Sequence, residues 1–108
     1  MEAIYSIFNL LVYAGEKQID FFLERNIIGV LMTVMKESEN SEILIMILNC
    51  MEKIMGFEGH KNTNYQVIIM KMLEETGGVQ RLEDLQHHPD QKVYIKLNDF
   101  IYRFFDTH

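Results

Sequence analysis

The side chains of this sequence that could do chemistry are its adjacent carboxylates, because paired acidic residues can exchange protons with a substrate. The two pairs are Glu74-Glu75 and Glu83-Asp84. Successive residues of an α-helix point about 100° apart, so neither pair can converge on one substrate. No acid/base pair, and no catalytic residue, is predicted.

The histidines and the single cysteine do not form a recognisable metal site either. The four histidines, His60, His87, His88 and His108, lack the four-residue helical spacing of zinc ligands, and Cys50 has no second cysteine to pair with. A lone cysteine indicates core packing in a reducing compartment. The sequence therefore predicts no bound metal, no cofactor and no enzymatic activity.

Composition bounds the remaining possibilities. The chain has 108 residues, of which 48% are hydrophobic and 24% charged, which is typical of one small globular domain or a piece of a longer protein. Its net charge of −6 disfavours binding to a nucleic-acid backbone. The apolar stretch 4–13 is too short to span a bilayer, and neither a targeting nor a membrane segment is predicted.

The elements that must position any functional residue are helices. Apolar residues recur at steps of three and four between clusters of turn-forming residues. Asn26 and Gly77 can adopt the left-handed conformation that closes a helix, and Pro89 can occupy the first turn of the last helix. The predicted helices are 2–14, 16–25, 27–37, 41–56, 65–75, 78–87 and 90–106.

An internal repeat relates three of these helices. Each carries a large residue four positions before an asparagine, in the pairs Tyr5 and Asn9, Ile45 and Asn49, and Tyr94 and Asn98. The asparagines are 40 and 49 residues apart, and periods of roughly 40 to 47 residues with two or three helices each are typical of HEAT and armadillo solenoids. An ordinary helical bundle with chance similarity is the alternative.

Three ordered motifs make the sequence resemble the C-terminal armadillo repeats of the importin-alpha family, the adaptors that read nuclear localisation signals. Residues 2–9 read EAIYSIFN where the family typically has E-A-x-W-A-I-S-N. Residues 18–24, QIDFFLE, are similar to its Q-I-K-Y-L-V-E, and residues 85–94, LQHHPDQKVY, to its L-Q-x-H-E-N-x-x-I-Y. The resemblance covers almost the whole chain.

The resemblance implies an all-α, armadillo-type solenoid of seven helices and about two and a third repeats. Residues 1–14 correspond to the last helix of one repeat and residues 16–56 to the next repeat. A loop over 57–64 separates these from a C-terminal capping repeat at 65–108.

A signal-peptide site is implied by the same resemblance. In the family, tryptophans clasp lysine stems, asparagines hydrogen-bond the peptide main chain, and acidic residues receive the ammonium groups. By this resemblance, Glu2, Tyr5 and Asn9 of this sequence match residues at one edge of the family's minor signal-binding pocket. Tyr5 replaces the tryptophan and is a weaker platform for a cation, so this chain alone should bind a basic signal weakly or not at all.

A second implied surface lies near the C-terminus, where the family contacts its recycling export receptor and a nucleoporin. The matching residues are Glu83, Gln86, His88, Gln91 and Tyr94. Alternatively, Tyr94 is core and the others form a solvated rim. The other implied partners are nuclear localisation signal cargo and an importin-beta-type carrier bound through a missing segment. The implied location is the cytoplasm and nucleus.

The first helix has little polar face, which predicts that another surface covers it. Either the chain is the end of a longer array, or it forms a homodimer through this N-terminal helix. Two rivals to the transport adaptor remain open, a generic armadillo scaffold for a different extended peptide and a structural helical bundle that only self-associates.

Overall fold

A computed structural model describes the backbone of residues 2–56 and 65–104 and most of their side chains. It contains seven α-helices and no strand within those ranges. The predicted loop at 57–64 lies outside the described residues, as do residues 105–108. The helices, in chain order, are α1 (Glu2–Val12), α2 (Glu16–Glu24), α3 (Ile27–Glu37), α4 (Ser41–Met55), α5 (Tyr65–Thr76), α6 (Gly78–Leu85) and α7 (Gln91–Phe104).

Two left-handed residues separate consecutive helices, as the sequence predicts. Asn26 has φ 58° between α2 and α3, and Gly77 has φ 78° between α5 and α6. The next residue, Gly78, approaches α5 closely, because a Cβ atom there would lie 2.6 Å from Cδ2 and 3.3 Å from Cα of Leu73. A larger residue there would have to displace the Leu73 side chain and would press on the Leu73 backbone.

The amino-terminal ends of α4 and α7 are each capped by the side chain of the residue that precedes the helix. Asn40 Oδ1 accepts a hydrogen bond from Ile43 N at 3.1 Å, and Asp90 Oδ1 accepts one from Lys92 N at 2.9 Å. The prediction that Pro89 lies in the first turn of the last helix is wrong, because α7 begins at Gln91 and Asp90 precedes it. A carboxylate at this position satisfies a free N–H group at the helix start, which proline cannot do.

The helices form stacked layers with α4 at the centre. It packs against α1 on one side and α7 on the other, and it also contacts α3 and α5. The core is almost entirely apolar, and its fully buried side chains include Phe8, Leu11, Leu31, Met35, Leu44, Ile47, Leu48, Met51, Ile54, Ile69, Leu73 and Phe100. This all-α stack of layers confirms the predicted solenoid.

Hydrogen bonds to free helix ends connect the layers. Arg81 of α6 donates from Nε to Met35 O at 2.9 Å and from Nη2 to Ser38 O at 2.7 Å. Lys36 of α3 donates from Nζ to Thr76 O at 2.7 Å. Both cations lie at the carboxyl end of a helix, where unpaired carbonyls and the helix dipole favour positive charge.

Candidate functional site

The partly exposed surface of α4 is a narrow stripe, which we call the open stripe. Its half-buried members on the inner part of the helix are Ile45, Met46, Asn49, Glu52 and Lys53. They are spaced by three and four residues and therefore lie along one side of the helix. Because the other residues of that part of α4 are buried, only this stripe is available to a ligand.

The central and last layers, α4 and α7, are in a register that follows the repeat in the sequence. The Ser41 hydroxyl at the start of α4 hydrogen-bonds the Asp90 carboxylate at the start of α7. Farther along both helices, Glu52 contacts Lys96 and Arg103. Contacts between the two starts and between the two later turns mean that α4 and α7 run parallel, with positions about 49 residues apart side by side.

This register brings the repeated asparagines to matching heights. Asn49 lies in the open stripe, while Asn98 of α7, 49 residues later, is exposed. On the other side of α4, the Cys50 thiol donates to Phe8 O at 3.3 Å, which sets Asn49 and Asn9 at similar levels. Asn9 is also exposed. Each of the three amides carries both a hydrogen-bond donor and an acceptor.

Glu2 and Tyr5 lie in α1 with Asn9. Positions 2, 5 and 9 follow the three- and four-residue spacing that places residues along one side of a helix. The predicted edge of a signal pocket is thus contiguous along the backbone of α1.

An ion cluster at the α4–α7 contact was not predicted from the sequence. Glu52 Oε2 lies 2.8 Å from Lys96 Nζ and 3.4 Å from Arg103 Nη1, and the Glu52 side chain is only 12% exposed. Within the described part of the chain, the buried Oε1 atom has no hydrogen-bond partner. Glu52 thus connects α4 to two cations of α7.

The five residues of the predicted partner surface lie between the end of α6 and the first turn of α7. Glu83, Gln86 and Gln91 are exposed, and Tyr94 is 44% exposed. The alternative in which Tyr94 is core is therefore wrong.

His88, by contrast, faces inward, since its side chain is only 6% exposed. Its Nδ1 atom accepts from Asp90 N at 3.0 Å, and its Nε2 atom lies 3.1 Å from Glu39 O. Because Nδ1 is the acceptor, the neutral ring carries its proton on Nε2. His88 thus holds the α6–α7 connection against the segment before α4. It supports the predicted partner surface from below, and its side chain is not exposed to a partner.

Cys50 is fully buried, as the sequence predicts. Burial raises the pKa of its thiol to about 12, so the thiolate that nucleophilic chemistry requires is not formed near neutral pH. Across the described ranges, no group of three or more histidine, cysteine or acidic side chains is placed to hold a metal ion. None of the described helices combines the length and the apolar character needed to cross a bilayer.

Comparison with known proteins agrees with this geometry. Residues 68–108 match the family described as Atypical Arm repeat. The chain is also 30% identical over 96 residues to Importin subunit alpha-5 of Arabidopsis thaliana. That match covers 88% of the chain but only 18% of the relative's length. No solved structure matches significantly.

The fold and the repeat match together define the class of this protein, an all-α, armadillo-type solenoid. Within that class it is an importin-alpha-like armadillo chain, as its sequence similarity over 96 residues shows. Armadillo solenoids of this kind are protein-binding scaffolds.

Proposed function

We propose that this chain acts as the C-terminal armadillo repeats of an importin-alpha-like receptor for nuclear localisation signals. It is a non-catalytic adaptor that works in the cytoplasm and nucleus by binding other proteins. The observation that carries the proposal is the level arrangement of Asn9, Asn49 and Asn98 on three adjacent helices, all accessible to a ligand. An extended peptide crossing these helices could pair with one amide in each layer.

In this proposal the layers are armadillo repeats with the boundaries predicted from the sequence. Residues 1–14 complete one repeat, 16–56 form the second, and 65–108 form the capping repeat after the connection at 57–64. The similarity to an Arm repeat over 68–108 supports the last of these units.

The signal-binding part of the proposal rests on Glu2, Tyr5 and Asn9. A lysine of the signal would lie against the Tyr5 ring, its ammonium group would approach Glu2, and Asn9 would hydrogen-bond the peptide main chain. A phenol ring attracts a cation less strongly than an indole does, so we expect weak binding by this chain alone.

The experiment is fluorescence anisotropy with a labelled Lys-rich peptide at low salt, compared with a peptide of the same length in which the lysines are replaced by glutamates. We expect binding only of the basic peptide, with an affinity reduced about fivefold by Asn9→Ala, in keeping with the loss of one or two hydrogen bonds. Gln86→Ala is the matched control, because Gln86 is an exposed amide outside α1, α4 and α7. Equal effects of the two substitutions would contradict the assignment of the pocket to α1.

The partner-binding part concerns the surface formed by Glu83, Gln86, Gln91 and Tyr94 and supported by His88. We propose that it contacts the recycling export receptor or a nucleoporin, as the resemblance implies. Tyr94 is the expected anchor, because exposed tyrosines contribute strongly to protein interfaces. Tyr94→Ala should weaken capture by the export receptor at least tenfold, whereas Tyr102→Ala, an exposed tyrosine two turns farther along α7, should not.

A second candidate is favoured by the ion cluster at Glu52. Lys96 and Arg103 lie on this surface beside Glu52, whose side chain is mostly buried, so the α4–α7 surface suits an acidic segment better than a Lys-rich one. A generic armadillo scaffold would then bind the glutamate peptide of the anisotropy experiment and lose it on Arg103→Ala. Binding of the acidic peptide alone would overturn the signal-receptor proposal in favour of this one.

A further inference from the structure

The connection between α6 and α7 is held by a buried histidine whose two ring nitrogens both contact backbone atoms. The His88 side chain is only 6% exposed. Its Nδ1 atom accepts a hydrogen bond from Asp90 N at 3.0 Å, and its Nε2 atom lies 3.1 Å from Glu39 O. Histidine is the side chain that ordinarily changes its charge between about pH 5 and 8. A group that can take up a proton therefore lies directly beneath the predicted partner surface.

Protonation of the ring is compatible with only one of these two contacts. An imidazolium carries an N–H donor on each nitrogen, so Nε2 can still donate to Glu39 O. At Nδ1 the added proton would face the N–H group of Asp90, and two donors cannot share a hydrogen bond. The protonated ring therefore loses its hydrogen bond with Asp90 N while it can keep the contact with the segment before α4.

Charged groups on several sides of the ring determine what a protonated His88 can contact instead. From the segment before α4, Glu39 Oε2 lies 3.9 Å from Nε2, and the same carboxylate pairs through Oε1 with Nη2 of Arg81 of α6 at 3.0 Å. From the start of α7, the Asp90 carboxylate interacts electrostatically with His88 and with Lys92. Two carboxylates can thus stabilise an imidazolium in this position, against the opposing charges of Arg81 and Lys92.

The Asp90 carboxylate is already used to start α7. Its Oδ1 atom accepts from Lys92 N at 2.9 Å, and the carboxylate also accepts the hydroxyl of Ser41. The backbone of Asp90 begins the helical hydrogen bonds as well, because its O atom accepts from Val93 N at 3.1 Å. A charge-assisted hydrogen bond from a protonated Nδ1 would compete for this carboxylate. Protonation of His88 therefore acts on the residue that fixes the first turn of α7.

We propose that His88 is a pH-sensitive switch of the last layer, in which the neutral ring fixes the start of α7 and the protonated ring releases it. The first turn of α7 carries Gln91 and Tyr94 of the predicted partner surface. Acidification should therefore loosen the surface that neutral pH keeps in place. The release of the α7 start does not depend on the proposed function, whereas its consequence for a bound partner rests on that proposal.

The test is NMR of the isotope-labelled chain between about pH 7.5 and 5.5, where histidines titrate and the Asp90 carboxyl, with its pKa lowered below 3.8, does not. At the neutral end, the ring nitrogen shifts of His88 should place the proton on Nε2. As the ring takes up a second proton, protection of the Asp90 N–H against hydrogen exchange, relative to an unstructured chain at the same pH, should fall about fivefold, as expected for the loss of one ordinary hydrogen bond. The amide resonances of Gln91 and Tyr94 should shift along the same titration curve.

Two asparagine variants separate this switch from a general effect of acid. The Oδ1 atom of an asparagine can accept a hydrogen bond where Nδ1 of the histidine does, and it does not titrate, so His88→Asn should keep the protection of the Asp90 N–H constant to within about twofold. His87→Asn is the matched control, because His87 is the exposed neighbour of His88. It should lose protection with falling pH as the parent chain does. Circular dichroism shows whether each variant folds.

Several results would overturn the proposal. They are a neutral ring with its proton on Nδ1, a ring that stays neutral throughout the range, a ring that is protonated while the Asp90 N–H keeps its protection, and an equal loss of protection in His88→Asn. If His88→Asn does not fold, the parent chain still decides, because the titration of its ring and the protection of Asp90 N–H are measured together. A failure of the proposed function would appear separately, as absent binding of the Lys-rich peptide at neutral pH.

Discussion

The two sides of α4 are stabilised by different physics. Towards α1 the contact is apolar, with Phe8, Leu11 and Cys50 fully buried. Towards α7 the contact adds charge, through the Glu52 cluster and the hydrogen bond from Ser41 to Asp90. Helices that pack in the same way can therefore be held together by different interactions. The stability of the α1–α4 contact should depend on packing alone, whereas that of the α4–α7 contact should also depend on pH and salt.

The largest expected effect is on the reactivity of Cys50, which should be far lower than that of an exposed cysteine. Its raised pKa of about 12, against an ordinary 9.0, lowers the thiolate fraction at pH 8 about 1,000-fold, and burial excludes reagent as well. Alkylation followed by mass spectrometry should therefore require transient separation of α1 from α4. Rapid labelling of the native chain would show that the apolar contact is open.

The largest change in stability should come from Phe8→Ala. Removing a fully buried aromatic side chain from the α1–α4 contact should cost about 3–5 kcal/mol of the free energy of unfolding. Urea unfolding followed by circular dichroism measures it. Ile95→Ala, at an exposed position of α7, should change the same quantity by less than about 0.5 kcal/mol. Similar values for both would mean that the α1 contact is not part of the core.

A smaller loss is expected for Glu52→Gln on the charged side. The substitution keeps the volume but removes the negative charge that faces Lys96 and Arg103, of which Arg103 is more than half exposed. We expect a loss of about 1–2 kcal/mol, between the values for exposed and buried ion pairs, and a smaller difference at high salt. Glu42→Gln, at an exposed position of the same helix, is the control. A salt-independent loss would assign the effect to packing.

The smallest expected effect is the contribution of Asp90 to the free energy of unfolding at low pH. The hydrogen bond from Ser41, followed by that from the Lys92 N–H, lowers the pKa of this carboxyl below its ordinary 3.8. A lowered pKa in the folded state means stability that is complete well above pH 3.8 and lost as the pH falls through that value towards the folded pKa. Asp90→Asn should remove this part of the acid sensitivity. An unchanged dependence of unfolding on pH between 5 and about 2.5 would contradict the assignment.

Much of the fold could be predicted from the sequence because it depends on local patterns. All seven helices and the left-handed residues Asn26 and Gly77 follow from apolar spacing and turn chemistry. The error at Pro89 arose because two cues compete there, and the carboxylate of Asp90 caps the helix. The similarity to an importin alpha subunit confirms the family resemblance on which the layer assignment was based.

The contacts that shape the candidate site could not be predicted in the same way. Arg81 reaches Met35, His88 reaches Glu39, and Lys96 reaches Glu52 across more than 40 residues. Such pairs depend on how the layers stack, and no local spacing in the sequence records them. The predicted roles of Glu2, Tyr5 and Asn9 stay predictions that only a ligand can test.

The most direct test of the account is an NMR titration of the isotope-labelled chain with a Lys-rich extended peptide, following the side-chain amides of the three repeated asparagines. The account predicts that the Asn9 resonances shift first and saturate, that those of Asn49 shift less, and that the exposed amide of Gln86 on α6–α7 stays unchanged. Shifts confined to α2, α3, α5 and α6, with all three asparagine amides unmoved, would contradict the proposal that the stacked helices α1, α4 and α7 form the peptide-binding face.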